Sequence, residues 1–283
     1  MKGVGIVPNW QKVNCFGVVE RIKAFFASKG VKTFVIPENE PLITCPSPMV
    51  LLNRCINYID VFLVVGGDGT ILRVARETAK SNIPILGINL GQKGFLAELE
   101  IDLLEEYLDK LLQGEFAVKQ RMMLEGTAYR KNEVVSSFLS LNDIVISKGP
   151  FSRIVKLDTF INDDYLESYP GDGIIISSPT GSTGYSLSAG GPIVNPALEV
   201  IIITPICPHL LHHRSVIVDK SDTVTIHVST DQAEIFLTVD GQEGFKLMDK
   251  DVVKVQKAQE CTGLVTFPNY NFYKLLHQKL KEA

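Results

Sequence analysis

The chain has 283 residues, 45% of them apolar and 21% charged, enough for two domains with sizeable cores and too apolar for disorder. Its net charge is −4 with no run of like charges, which argues against a general nucleic-acid or anionic-membrane surface but leaves room for a local basic pocket. The five cysteines (Cys15, Cys45, Cys55, Cys207, Cys261) are scattered without a CxxC pair, a pattern of a reducing, cytoplasmic setting rather than a disulfide framework.

Residues 1–8 lack a signal peptide's long apolar centre and read as a first strand, over 4–7; no apolar stretch is long enough to span a bilayer. A helix is expected over 13–28, with Val13, Phe16, Val19, Ile22, Ala24 and Phe26 at near-helical spacing and Gly30 at its end. A strand over 31–36, a loop over 41–48 and a short helix over 49–58 follow. The apolar run from Val61 to Val65 is a buried strand that stops at Gly66-Gly67-Asp68-Gly69-Thr70, and 70–80 has helical spacing. Residues 83–88 form another buried strand, and Asp102 reads as the cap of a helix through Leu112, closed by Gly114. Strand and helix alternate, so residues 1–115 read as an α/β domain with a mainly parallel sheet.

From 116 to 267 the texture is β-rich. Strands are expected over 137–147, 154–161, 173–178, 223–228, 235–239 and 252–255, among others, with turns at Asn162-Asp163-Asp164 and Asp240-Gly241. One short helix begins within 183–189. In the final segment, 268–283, an amphipathic helix over 270–280 has Phe272, Leu275, Leu276 and Leu280 on one side and packs back on the first domain.

The turn after the 61–65 strand aims backbone N–H groups and a helix's positive end at one point, which is an anion site, and its glycines admit a phosphate. Asp68 is out of place there unless it binds a cation or takes up a proton, and that points to phosphoryl transfer. A second glycine cluster, Gly87 to Leu96, again follows a strand and emerges at the same sheet edge, where ligands of open α/β sheets sit. A third runs from Gly171-Asp172-Gly173 through Ser178-Pro179-Thr180-Gly181-Ser182-Thr183-Gly184-Tyr185-Ser186-Leu187-Ser188-Ala189-Gly190-Gly191-Pro192. Its hydroxyls and amides can reach ribose and phosphate oxygens, against the plainer reading of a Ser/Gly linker. Asn142-Asp143 interrupts an apolar strand; it can hold ribose hydroxyls and a base edge, or be merely a bulge. Arg73 and Arg76 face phosphate or solvent, and Lys148 and Arg153 flank the loop after Asn142-Asp143. His209, His212 and His213 lack an acidic or Cys partner at ligand spacing, and no metal site is read from them. There is no Gly-x-x-x-x-Gly-Lys-Ser/Thr and no Gly-x-Gly-x-x-Gly.

In this order, these motifs, with Thr204-Pro205-Ile206-Cys207-Pro208-His209 and Asp240-Gly241-Gln242, resemble the signature of NAD kinases, from Val61 to Gln242. The first motif is shared with diacylglycerol and sphingosine kinases; the Pro-Thr-Gly-Ser-Thr block is far more specific. The resemblance implies transfer of the γ-phosphoryl group of ATP to the 2′-hydroxyl of the adenosine ribose of NAD, giving NADP, with a divalent cation (Mg) and a homo-oligomer, dimer or tetramer. It makes Asp68 the base and Gly66, Gly67, Gly69 and Thr70 the phosphate turn. NAD would be contacted by Asp68, Gly69 and Arg73, by Asn142 and Asp143 at the adenosine, and by Phe95 and Thr183 near the adenine. Asp172, Tyr185 and Ser188 would meet the nicotinamide half, with Arg153, Gly184, Ser186, Leu187 and Gln242 as further contacts. Three features depart from the family pattern: Gly184 in place of Ala, Pro170 in place of a basic residue, and the stretch 210–213. A lipid kinase and a non-catalytic NADP(H)-binding regulator are the competing readings.

Overall fold

A computed structural model describes residues 1–36, 56–91, 94–97, 99–150, 154–209, 214–230, 234–268 and 271–282. The loop expected over 41–48 and most of the helix expected over 49–58 lie outside these residues, as do Cys45, Cys55, Arg153, Leu210, His212 and His213. The chain divides into two compact units, residues 1–120 with 262–283, and residues 121–261.

The first unit is α/β. Strands β1 (Gly3–Pro8), β2 (Lys32–Val35), β3 (Val61–Gly66) and β4 (Ile85–Asn89) lie in the order β2-β1-β3-β4, all parallel, with the short β5 (Leu99–Glu100) on β4. β1, β3 and β4 are buried along their whole length, which is why they read as unbroken apolar runs. Helix α1 (Cys15–Ser28) buries Cys15, Val18, Val19, Ile22 and Phe26. Of the apolar residues expected at helical spacing, Val19, Ile22 and Phe26 are buried, whereas Phe16 is 69% exposed and Val13, which precedes the helix, is 79% exposed. Gly30 ends the helix with φ +71°, a conformation glycine adopts without a Cβ penalty. Helix α2 (Asp68–Thr78) starts two residues earlier than expected, so Asp68 sits in its first turn. Helix α3 (Leu104–Gln113) is entered through a 3₁₀ turn at Ile101–Leu103; Leu103, not Asp102, occupies its N-cap, and no side chain caps it.

The second unit is built from β-strands. β8 (Asp143–Lys148), β11 (Gly173–Ser177), β12 (Val200–Ile206), β13 (Val216–Asp219), β15 (Ile235–Val239) and β16 (Glu243–Leu247) form an antiparallel sheet in the order β13-β12-β11-β8-β15-β16. β9 (Val155–Ile161), β10 (Asp164–Gly171), β14 (Val224–Ser229) and the first part of β17 (Val252–Thr266) pair antiparallel beside them. β6 (Ala117–Arg130) and β7 (Glu133–Ser140) make a hairpin. Alternate residues of the strands, among them Ile144, Ile146, Ile174, Ile176, Leu157, Ile226 and Val253, fill one continuous core. Two strands differ from expectation. The one expected over 137–147 breaks at Leu141 and Asn142 into β7 and β8, and the one expected over 252–255 runs on to Thr266. Helix α4 (Tyr185–Ser188) is a single turn after a 3₁₀ turn at Gly181–Thr183. The C-terminal α5 (Phe272–Glu282) belongs to the first unit and buries Leu275.

Candidate active site

In the first unit the strand order reverses between β1 and β3, and ligands of open α/β sheets bind beyond the carboxyl ends of such strands. Asn9 follows β1 there, and Gly66-Gly67 carries β3 into α2. The Asn9 N–H donates to Val65 O at 2.8 Å, and its Nδ2 donates to Thr70 Oγ1 at 3.2 Å. A Cβ on Gly66 would lie 2.8 Å from that same hydroxyl oxygen, so the turn closes only with glycine. Thr70 thus braces the turn from within, while the Cβ side of Gly67 is open.

Asp68 is pinned. Its Oδ2 accepts the Phe95 N–H at 2.7 Å, and its Oδ1 accepts those of Leu96 and Ala97 at 3.2 Å each. Gly94 passes so close that a Cβ on it would lie 1.9 Å from Oδ1 and 2.3 Å from Cγ. Burial holds the Asp68 carboxyl above its ordinary value, against the three N–H donors and the Lys279 ammonium, which pull it down. A fixed carboxyl raised in this way is a stronger base than an exposed one.

In the second unit a separate cluster forms at the bend between β7 and β8. Leu141, Asn142 and Asp143 donate their N–H groups to one carboxylate, that of Asp240, at 3.2, 2.8 and 3.1 Å, and Ser140 Oγ donates to it at 2.9 Å. From the third motif, Ser178 donates its Oγ–H to Leu141 O at 2.5 Å and its N–H to Asn142 O at 2.8 Å. A Cβ on Gly181 would lie 2.1 Å from Asn142 O, so this loop lies directly on the bend because Gly181 has no side chain. Asn142 Oδ1 is buried and has no hydrogen-bond partner among the described residues, which leaves an acceptor for a ligand's amino or hydroxyl group. Asn142 Nδ2 and Asp143 Oδ2 lie 3.4 and 3.8 Å from the Cβ position of Gly184, so both side chains meet the third motif at one point.

Asp143 is 5% exposed, and its carboxyl is pushed up to about 7, first by burial and second by Asp240. Ionising it therefore costs the folded state free energy. The cost is absent below the ordinary value of 3.8, grows up to pH about 7 and is constant above. Asp143→Asn is expected to stabilise the protein at pH 8, by on the order of a few kcal/mol, and to change little at pH 4. Thermal melts at the two pH values check this, and equal melting temperatures at pH 8 would overturn it.

Two family models match the chain: the ATP-NAD kinase N-terminal domain over residues 46–116 and the ATP-NAD kinase C-terminal domain over residues 141–267. The NAD kinase of Natranaerobius thermophilus is 46% identical over 280 residues, covering 99% of this chain and 98% of that protein. The chain belongs to the NAD kinase family. The NAD kinase of Moorella thermoacetica is 43% identical, with 100% of this chain and 90% of that protein covered. Among solved structures, yeast NADH kinase complexed with NADH matches with a TM-score of 0.82 at 25% identity, covering 98% of this chain and 86% of that one. An NAD kinase from Archaeoglobus fulgidus in complex with ATP matches in fold, with a TM-score of 0.76 at 24% identity and both chains fully covered.

The remaining motif residues of this NAD kinase family member are placed differently from one another. Asp172 forms an ion pair with Lys148 at 2.9 Å. Tyr185 and Ser188 are exposed at the two ends of α4, and Leu187 is half-buried between them. Thr183 Oγ1 donates to Thr180 O at 3.3 Å. Ser186 is fully buried with its Oγ 3.1 Å from Thr204 Oγ1, so its hydroxyl serves the interior. Gly69 is exposed, Arg73 lies 3.8 Å from Glu77 one turn on in α2, and Gln242 is exposed with its N–H on Val239 O. Arg153 lies outside the described residues. Sequence reasoning missed Asn9 and Asp240 as parts of these clusters. For Asp240 the signal was there but had another explanation: Asp-Gly between two strands reads as a hairpin turn, which it also is, with φ +49° and +66° at Asp240 and Gly241.

Proposed function

We infer that the protein is an NAD kinase that transfers the γ-phosphoryl group of ATP to the 2′-hydroxyl of the adenosine ribose of NAD, giving NADP, with Asp68 as the general base. The observation that carries this reading is the Asp68 carboxyl, held by three N–H donors at the start of α2 and raised above its ordinary value by burial. A sugar hydroxyl is a poor nucleophile near neutral pH. Oδ2 accepts one of the three N–H donors and keeps a lone pair for the hydroxyl proton. As the new phosphorus–oxygen bond forms, that proton passes to Asp68, while the bond to the departing ADP oxygen breaks. The positive end of α2 faces the charge that develops.

On this reading the turn of Gly66, Gly67, Gly69 and Thr70 holds the donor phosphates in a first domain, 1–115. The β-rich domain, 116–267, holds NAD, with the helix of 268–283 joined to the first. Asn142 and Asp143 take the adenosine half, and the unpartnered Asn142 Oδ1 suits the amino group of adenine. Asp172, Tyr185 and Ser188 take the nicotinamide half. A divalent cation, Mg, would be held chiefly by the phosphates of ATP at the Gly66–Thr70 turn, because Mg is held by phosphates, waters and one or two carboxylates more often than by a protein cage. When bound it spreads the charge of the transferring group. The protein works in the cytoplasm as a homo-oligomer.

Among the described residues no helix is long and apolar enough to cross a membrane. Purified protein given ATP, Mg and NAD is expected to form NADP, read with an NADP-specific dehydrogenase. Absence of NADP overturns the assignment: transfer of phosphate to a lipid would point to a lipid kinase, and tight NADP binding without turnover to a regulator.

A further inference from the structure

We propose that Asp240 is a positioning residue for NAD: by holding the 140–143 bend on its carboxylate it sets where Asn142 and Asp143 meet the adenosine. The inference rests on the assignment of that pair to NAD.

Asp240 is 8% exposed in the turn between β15 and β16. Among the described residues its carboxylate accepts the Ser140 hydroxyl and the N–H groups of Leu141, Asn142 and Asp143, and its own N–H returns to Asp143 O at 3.0 Å. Ser140, Asn142 and Asp143 all donate to one oxygen, Oδ1. The register of β8 does not need this contact, since Ile235 to Val239 of β15 already pair with Lys148 to Ile144. The carboxylate acts where that ladder ends. There the chain turns out of β7, and the N–H groups of Leu141 and Asn142 need an acceptor.

A neutral amide cannot reproduce the arrangement. Asparagine offers one acceptor oxygen and places an NH₂ group against a donor that the second carboxylate oxygen now satisfies, here the Leu141 N–H at 3.2 Å. Asp240→Asn should therefore shift the bend by a fraction of an ångström without changing the strands. The residues displaced are those facing NAD, whereas the glycine turn and Asp68 belong to the other compact unit.

The test is steady-state kinetics of wild type and Asp240→Asn with NAD and ATP varied separately. KM for NAD is expected to rise about tenfold or more, from losing hydrogen bonds to a buried charged group, with KM for ATP within about threefold. An unchanged KM for NAD, or an equal loss toward both substrates, overturns the proposal. If Asp240→Asn does not fold, Ser140→Ala decides: it removes one donor and leaves the carboxylate, and KM for NAD should rise about threefold, an unchanged value counting against the proposal. Wild-type protein that makes no NADP refutes the assignment of function; wild type that makes NADP beside variants indifferent to NAD refutes this inference alone.

Discussion

Asp68→Asn is expected to lower kcat by about 10²- to 10⁴-fold, the range for loss of a general base, while KM for NAD changes little. The substitution keeps size and shape. Oδ1 can still accept the N–H groups of Leu96 and Ala97, but the new NH₂ group faces the Phe95 N–H across what is now a 2.7 Å hydrogen bond. That donor–donor contact costs about 1–3 kcal/mol and loosens the 95–97 segment, so a slightly lower melting temperature should accompany the loss of turnover. In the wild type, kcat should fall on the acid side as Asp68 gains its proton, at a pH above the ordinary carboxylate value because burial raises this group. Turnover of the variant near that of the wild type would rule out the base role.

Gly94→Ala is expected to cost at least about 10²-fold in kcat, since a displacement on the order of 1 Å at a reacting group is enough for that. The added methyl would lie 1.9 Å from Asp68 Oδ1 and 2.4 Å from Oδ2, so carboxylate and methyl cannot both keep their places. A long side chain would swing aside. Asp68 has a single methylene, and its oxygens are fixed by three backbone donors next to Gly94 itself. Either the carboxylate leaves its amides or the 94–97 backbone moves with them, and both outcomes spoil the aim of the base. Turnover within a fewfold of wild type, with the protein folded, would show that the segment yields more easily than this geometry implies.

Both predictions concern a motif that is plain in the sequence, yet what makes them sharp is not. Gly66-Gly67-Asp68-Gly69-Thr70 announces a strand, a turn and a helix, because apolar periodicity and glycine report local backbone preference. The three amides that hold Asp68 come from residues 27 to 29 positions later, and nothing local in Phe95, Leu96 or Ala97 marks them as donors. The same holds for Asn9, which reaches Thr70 across 61 residues, and for Asp240, which reaches the 140–143 bend across 97 to 100. Asp102 failed as a helix cap because the chain enters α3 through a 3₁₀ turn, and Phe16 lies on the exposed side of α1 because the packing of β1 and β3 selects Cys15, Val18 and Ile22 instead.

The sequence by itself determined the alternation of strand and helix in the first part, the β-rich second part, the family and the candidate base. These follow from patterns within short windows: periodicity, breakers and motif spacing. Only the tertiary structure decided which glycines are forced by contact, which serines face inward and which carboxylate organises Asn142 and Asp143. Those facts depend on atoms far apart in the chain arriving within hydrogen-bonding distance of one another, and a window of sequence carries no record of that approach.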